Sequence, residues 1–179
     1  MNRLASWWGQ IKRICFDFVV NGVASSYLCP KVGRRWIYNN FGMKIVTKNI
    51  HPKSHFSGND IRIKEGCYIG YMCFFFVSGG ITIEKDCNIA MKCTFVTSTH
   101  EIGNMDRRAG NNLTKEIHIG RGVWIGANTT ILPGVTIGDG CIIAAGAVVV
   151  ENCIPNNVYG GIPAKQIKGL NMKQSMEET

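Results

Sequence analysis

Aliphatic residues recur at every sixth position through the second half of the chain: Ile119, Ile125, Ile131, Ile137, Ile143 and Val149. Four of them are followed at once by a small residue: Gly120, Gly126, Gly138 and Ala144. The same register appears upstream at Ile63, Ile69 and Phe75, and again, shifted by two residues, at Ile83, Ile89 and Phe95. A period of six is neither the 3.6 of a helix nor the alternation of a hairpin. It predicts a parallel β-helix, in which short strands stack their aliphatic side chains into a continuous core.

Three hexapeptides make one triangular coil, which predicts three ladders. The first runs Ile63, Ile83, Ile119, Ile137; the second Ile69, Ile89, Ile125, Ile143; the third Phe75, Phe95, Ile131, Val149. Two interruptions are informative. The extra pair between Phe75 and Ile83 falls at Gly79-Gly80, a turn signal. The 24 steps from Phe95 to Ile119 leave 18 residues inserted at one corner, and long insertions in a repeat array commonly carry function.

Cysteine fits the same frame. Cys67, Cys73, Cys87, Cys93, Cys141 and Cys153 each lie four residues after a ladder position or its extrapolation, where other repeats place Val123, Thr129, Val135 and Ala147. The simplest reading is a set of small core residues, since free Cys behaves as a compact hydrophobe. A disulfide framework or a zinc site is the sharper alternative, but no CxxC occurs. Free core thiols imply a reducing compartment.

Ahead of the repeats the period changes. Leu4, Trp7, Trp8, Ile11, Ile14, Cys15 and Phe18 follow helical spacing, with Arg3, Gln10, Arg13 and Asp17 interleaved. Asn21-Gly22 is the expected stop, and Pro30 is expected to open a second helix that runs to Asn39-Asn40, before Gly42. The organisation expected is therefore a basic helical segment (1–42), a β-helix (43–168) carrying a loop at 97–118, and a polar tail (169–179). Asp17 interrupts the apolar run and no small-residue cleavage site follows, which argues against a secretory signal. No stretch is long enough to span a bilayer.

Charge changes the picture only here. Of the net +8, the first 60 residues contribute nine Lys/Arg against two Asp, so the repeats are nearly neutral. That distribution argues against nucleic acid binding along the β-helix. Two roles stay open for the basic segment: capping the open end of the coil, where strand edges would be exposed, or lying on a membrane surface, which paired Trp beside Lys12 and Arg13 suits.

Four histidines are candidates for chemistry. His51 and His55 fall in a ragged first coil beside Pro52 and read as surface loop residues, while His118 directly precedes a ladder residue and should point outward. His100 alone stands at the base of the insertion, in Thr97-Ser98-Thr99-His100-Glu101. Imidazole is the side chain that gains and loses a proton near neutral pH.

The stretch FVTSTH (95–100), the stretch from Ile117 to Lys168 with its VWIG, ILPGVTIG and GGIPAK pieces, and the loop length between them resemble the hexapeptide-repeat O-acetyltransferases. That superfamily includes the maltose and galactoside acetyltransferases and many bacterial polysaccharide O-acetyltransferases. The resemblance covers roughly residues 61–168, and implies an all-β fold: a left-handed parallel β-helix assembled as a homotrimer, with acetyl-coenzyme A between neighbouring subunits. It implies His100 as the general base, Trp124 lining the site, and the Ala127 N–H near the thioester oxygen. Gly126, Ala127 and Ala145 would follow the pantetheine, and Lys165 and Lys168 would face the 3′-phosphate. Glu101, Asp106 and Arg107 would stand on the acceptor side of the loop.

Two departures are visible. Val150-Glu151 stands where relatives often place Thr-Lys against the cofactor, and GYMCFFF (70–76) has no clear match to the sugar-binding Asn of the maltose and galactoside branch. The expected activity is transfer of an acetyl group to a sugar hydroxyl of a bacterial polysaccharide or its precursor, without a metal. The expected location is the cytoplasm, with peripheral contact at the inner face of the membrane. Alternatives are acetylation of an antibiotic or other xenobiotic, and a non-catalytic β-helix subunit. A zinc enzyme of the gamma carbonic anhydrase kind needs three converging histidines, and the repeats supply only His100 and His118.

Overall fold

The computed structural model describes residues 3–170; the polar tail from residue 171 onward lies outside them. Residues 44–169 form a three-faced, left-handed parallel β-helix, each face a sheet of two- or three-residue strands stacked coil upon coil, the second face closing on longer strands at Asn157–Gly161 and Ala164–Gly169. All three ladders are present. The pairings run Ile63–Ile83–Ile119–Ile137, Ile69–Ile89–Ile125–Ile143 and Phe75–Phe95–Ile131–Val149, and every member is buried. Each such isoleucine is worth about 1.5–3 kcal/mol on burial, so the six-residue period carries most of the stability.

The corners follow the same period. Three residues after successive ladder positions, Gly66, Met72, Asp86, Lys92, Gly122, Asn128, Gly134, Gly140 and Gly146 all adopt positive φ. Glycine serves there because a Cβ in the left-handed region costs roughly 1–2 kcal/mol. Met72 and Lys92 accept that cost at φ 60° and 58°. The six ladder-frame cysteines are buried free thiols, as their spacing implies. Cys67, Cys87 and Cys141 each donate to a backbone carbonyl of the following coil, at 2.9, 3.0 and 3.0 Å.

One coil more than the ladders predict is regular. Ile45, Ile50 and Phe56 pair with Ile63, Ile69 and Phe75, and the Phe56, Phe75 and Phe95 rings stack at 4.9 Å, the spacing of the coils. His51, at the corner after the second-face strand, and His55, in the third-face strand, therefore belong to a regular coil and not a ragged one. His51 packs against Tyr68 and Tyr71, and His55 lies flat on Phe74. Spacings of five and six residues, with Pro52 between, hide this coil from a strict six-residue count.

Burial lowers the pKa of both imidazoles, helped at His51 by Lys31 and Arg34 and opposed at His55 by Asp17. The unfolded chain takes up these protons near pH 6.5 while the folded chain still resists them, so stability is expected to fall as pH drops through that value. Urea midpoints taken at about pH 7.5 and 5.5 should show the fall, and a His51→Gln/His55→Gln variant should flatten it. An unchanged slope in that variant would assign the loss to other groups.

The N-terminal segment is a lid on the open end. Helix α1 (Arg3–Phe16) does not stop at Asn21-Gly22 but continues as a π-helix over Asp17–Ala24; after a turn, α2 (Lys31–Asn40) follows Pro30. The physical reason is that Asn21 is used elsewhere. Its side-chain amide donates to the Phe56 carbonyl at 3.0 Å and accepts the Phe56 N–H at 2.9 Å, replacing the strand that the third face lacks. Asn39 does the same for Ile45 on the first face, at 2.9 and 2.8 Å. On the second face the Arg34 guanidinium donates to the Ile50 carbonyl. Val20, Ala24, Tyr38 and Met43 then close the core beneath. Three polar side chains thus satisfy the edge that an uncapped coil would expose.

Candidate active site

The insertion is an antiparallel hairpin, Ser98–Ile102 with Ala109–Thr114, that projects as an arm from the corner between the third and first faces. Thr97 anchors its base. Its buried hydroxyl donates to the Phe76 carbonyl at 2.8 Å and accepts the N–H groups of Ser78 and Gly79 at 2.7 and 3.0 Å.

His100 stands exposed in the first strand of the arm, its Nδ1 3.1 Å from the Gly110 carbonyl oxygen. A carbonyl can only accept, so this contact requires the proton on Nδ1 and leaves the Nε2 lone pair free. The free nitrogen is the one a hydroxyl proton can reach. Gly110 makes the approach possible, because a Cβ there would meet the Glu101 carbonyl oxygen at 2.9 Å. Sequence reasoning missed Gly110 because its role is a backbone carbonyl, visible only once the hairpin register is known.

Glu101 flanks His100 and accepts from Asn111 Nδ2 at 2.9 Å. Asp106 does not join it, whereas Arg107 lines the same cleft as Glu101 and Gly110. Asp106 and Arg107 lie in the turn beyond the Ile102–Ala109 pair, at the far tip of the arm.

A second group of residues gathers on the second face. Trp124 projects outward from its strand, more than half exposed. Gly126, Ala127 and Ala145 stack at the next corner, where Gly146 N–H donates to the Ala127 carbonyl at 2.8 Å and a Cβ on Gly126 would meet the Ala145 nitrogen at 2.5 Å. The positions after the inward residues of this face are Gly70, Ala90, Gly126, Ala144 and Gly160, one small residue in every coil above His51, and they form a track along which successive coils press close.

The track ends at the hairpin Asn157–Gly161 with Ala164–Gly169, which carries Lys165 and Lys168. Lys165 is not a free cation: its Nζ lies 3.3 Å from Glu151 Oε2. The acid at the Val150-Glu151 departure thus engages one of the two lysines. The His100 arm and this track leave the prism at different corners, with the whole third face between them.

Comparison with known proteins agrees with this architecture. The bacterial transferase hexapeptide family (six repeats) matches residues 116–151. The galactoside O-acetyltransferase of Escherichia coli K12 is 33% identical over 123 residues, 68% of this chain and 61% of that enzyme. The chain spans 57% to 61% of the length of curated relatives that it matches. Among solved structures, the maltose O-acetyltransferase of Clostridium difficile 630 superposes with a TM-score of 0.81 at 26% identity, covering 90% of this chain and 88% of that one. A galactoside acetyltransferase in complex with coenzyme A gives 0.76 at 26% identity, over 90% and 82%. By repeat, fold and motif, the chain belongs to the hexapeptide-repeat superfamily that contains the galactoside and maltose O-acetyltransferases.

Proposed function

We propose that this protein transfers the acetyl group of acetyl-coenzyme A to a sugar hydroxyl of a polysaccharide or its precursor, with His100 as general base. The observation that carries the reading is the 3.1 Å contact of His100 Nδ1 with the Gly110 carbonyl oxygen, which calls for the proton on Nδ1 and leaves Nε2 free. The acceptor O–H gives its proton to Nε2 as its oxygen attacks the thioester carbonyl. The oxyanion then collapses, the C–S bond breaks, and the imidazolium returns the proton to the departing thiolate. The Ala127 N–H is assigned to the oxyanion, where one such donor contributes about 3 kcal/mol.

The small-residue track of the second face suits an extended pantetheine, with Trp124 at one end and Lys165 and Lys168 at the other. Because the arm and the track diverge within one chain, the site is completed between copies of a homotrimer, the arm of one subunit meeting the track of the next. The coenzyme A complex of the related galactoside enzyme supports the donor. Six buried free thiols and the demand for acetyl-coenzyme A support a cytoplasmic setting.

The test is acetyl-coenzyme A consumption against sugars, nucleotide sugars, lipid-linked oligosaccharides and antibiotics. Turnover with a glycan acceptor is expected; turnover with the antibiotics alone, or with none of the panel, would overturn the reading.

The ion pair at Glu151 sharpens the assignment of the lysines. Lys168→Ala should weaken coenzyme A more than 3′-dephospho-coenzyme A, by about 1.5–3 kcal/mol for a well-formed charge-assisted contact. Lys165→Ala should cost less, and Glu151→Gln should tighten coenzyme A by up to about 1 kcal/mol by releasing Lys165. Equal losses with both ligands, measured by calorimetry, would remove the lysines from the phosphate site.

A further inference from the structure

Helix α1 is mounted with its apolar face outward. Its polar side meets the prism: Arg13 donates to the Ser57 carbonyl at 2.8 Å and pairs with Asp17, while Phe16 packs edge-on against Phe41. The opposite arc carries Trp7, Trp8, Ile14 and Phe18, which are 61%, 59%, 67% and 70% exposed. From Phe18 the apolar surface continues along a shallow groove past Val23 to Leu28 and Pro30. An amphipathic helix on a free-standing protein buries its apolar stripe, and this one presents it to the surroundings.

We infer that this face docks on an anionic lipid surface. Charge selects that occupant. Nine of the 20 Lys/Arg, against two of the 12 Asp/Glu, lie in the first 60 residues, and the exposed Lys31 and Lys53 meet no carboxylate among the described residues. Lys31 follows Pro30 at the end of the groove, and Lys53 lies over the Tyr27 ring at 5.9 Å. A second copy seated on the same face would bring like charges together, which disfavours association. An anionic leaflet attracts each of them, and paired tryptophans with an apolar arc are suited to the headgroup boundary. The lid therefore has two sides, one closing the coil and one resting on lipid. The inference does not depend on the proposed reaction, since docking is read without turnover.

The experiment is sedimentation of the full chain with phosphatidylcholine vesicles prepared with and without phosphatidylglycerol. Binding is expected only to the anionic vesicles, with reversal by salt and a shift of tryptophan emission to shorter wavelength. Partitioning should fall by about an order of magnitude in Trp7→Ser/Phe18→Ser, and by about fivefold for each charge removed in Lys31→Gln and Lys53→Gln. These side chains point away from the core, so the variants should keep the thermal midpoint of the wild type; should one fail to fold, the emission shift of the unaltered protein still decides. No binding by the wild type, or binding undiminished in folded variants, overturns the inference. A drop in assembly mass in the Trp7→Ser/Phe18→Ser variant, with no vesicle binding by the wild type, would make the face a contact between copies.

Discussion

His100→Ala is expected to lower turnover by about two to four orders of magnitude, the usual contribution of a positioned general base, while acetyl-coenzyme A binding changes little. The split follows from geometry. The imidazole sits on the arm, away from the small-residue track assigned to the donor, so its loss should appear in kcat on the acceptor rather than in donor affinity. The Gly110 carbonyl provides a second measurement. Gly110→Val would push against the Glu101 carbonyl and shift the acceptor that holds Nδ1–H in place. Its kcat should fall in the same direction, while the Nδ1–H resonance expected in NMR spectra of the wild type should be lost or moved. Near-full turnover by His100→Ala on the true acceptor would refute the mechanism. Loss of turnover in Gly110→Val with the imidazole resonances unmoved would give Gly110 a role in shaping the arm only.

The legibility of this chain in its sequence depended on which interactions repeat. Side chains that point inward every six residues leave a period, and the ladders could be written down residue by residue. The arm was legible as an 18-residue gap with His100 at its base. What did not repeat was hidden. Asn21, read as a helix stop, is a strand-edge mimic, because its partner Phe56 lies 35 residues away and no local pattern marks such a pair. Gly110 acts through its carbonyl, so its residue type reports only the lack of a Cβ. Asp106 and Arg107 were expected on the acceptor side of the loop; a bulge after His100 and the hairpin turn carry both away from the imidazole, and only Arg107 shares a cleft with Glu101. Glu151 showed as a departure from the family, and only its position 3.3 Å from Lys165 gave the departure a consequence.

Arg34→Met should destabilise the protein by at least about 3 kcal/mol, because it removes several buried hydrogen bonds from a charged donor, each worth about 1.5–3 kcal/mol. Arg34 is 2% exposed, on α2, and its guanidinium donates only to backbone carbonyls: Ala24 at 2.7 Å, Ile50 at 2.5 Å, Ser26 at 2.8 Å and Cys29 at 3.0 Å. One side chain therefore ties together the end of the π-helix, the turn before α2, and the first strand of the second face. Methionine fills similar space but takes the guanidinium donors from four carbonyls, of which Ser26 keeps the Cys29 N–H at 3.3 Å, and each buried orphan costs roughly 1–3 kcal/mol unless water reaches it. Arg34→Lys should lie between wild type and Arg34→Met, since a point ammonium cannot span the fork that a planar guanidinium reaches. Urea denaturation followed by circular dichroism measures the order. Midpoints of Arg34→Met within about 0.5 kcal/mol of wild type would show that the lid is held by its apolar contacts through Val20, Ala24 and Tyr38, with the edge-capping side chains contributing little.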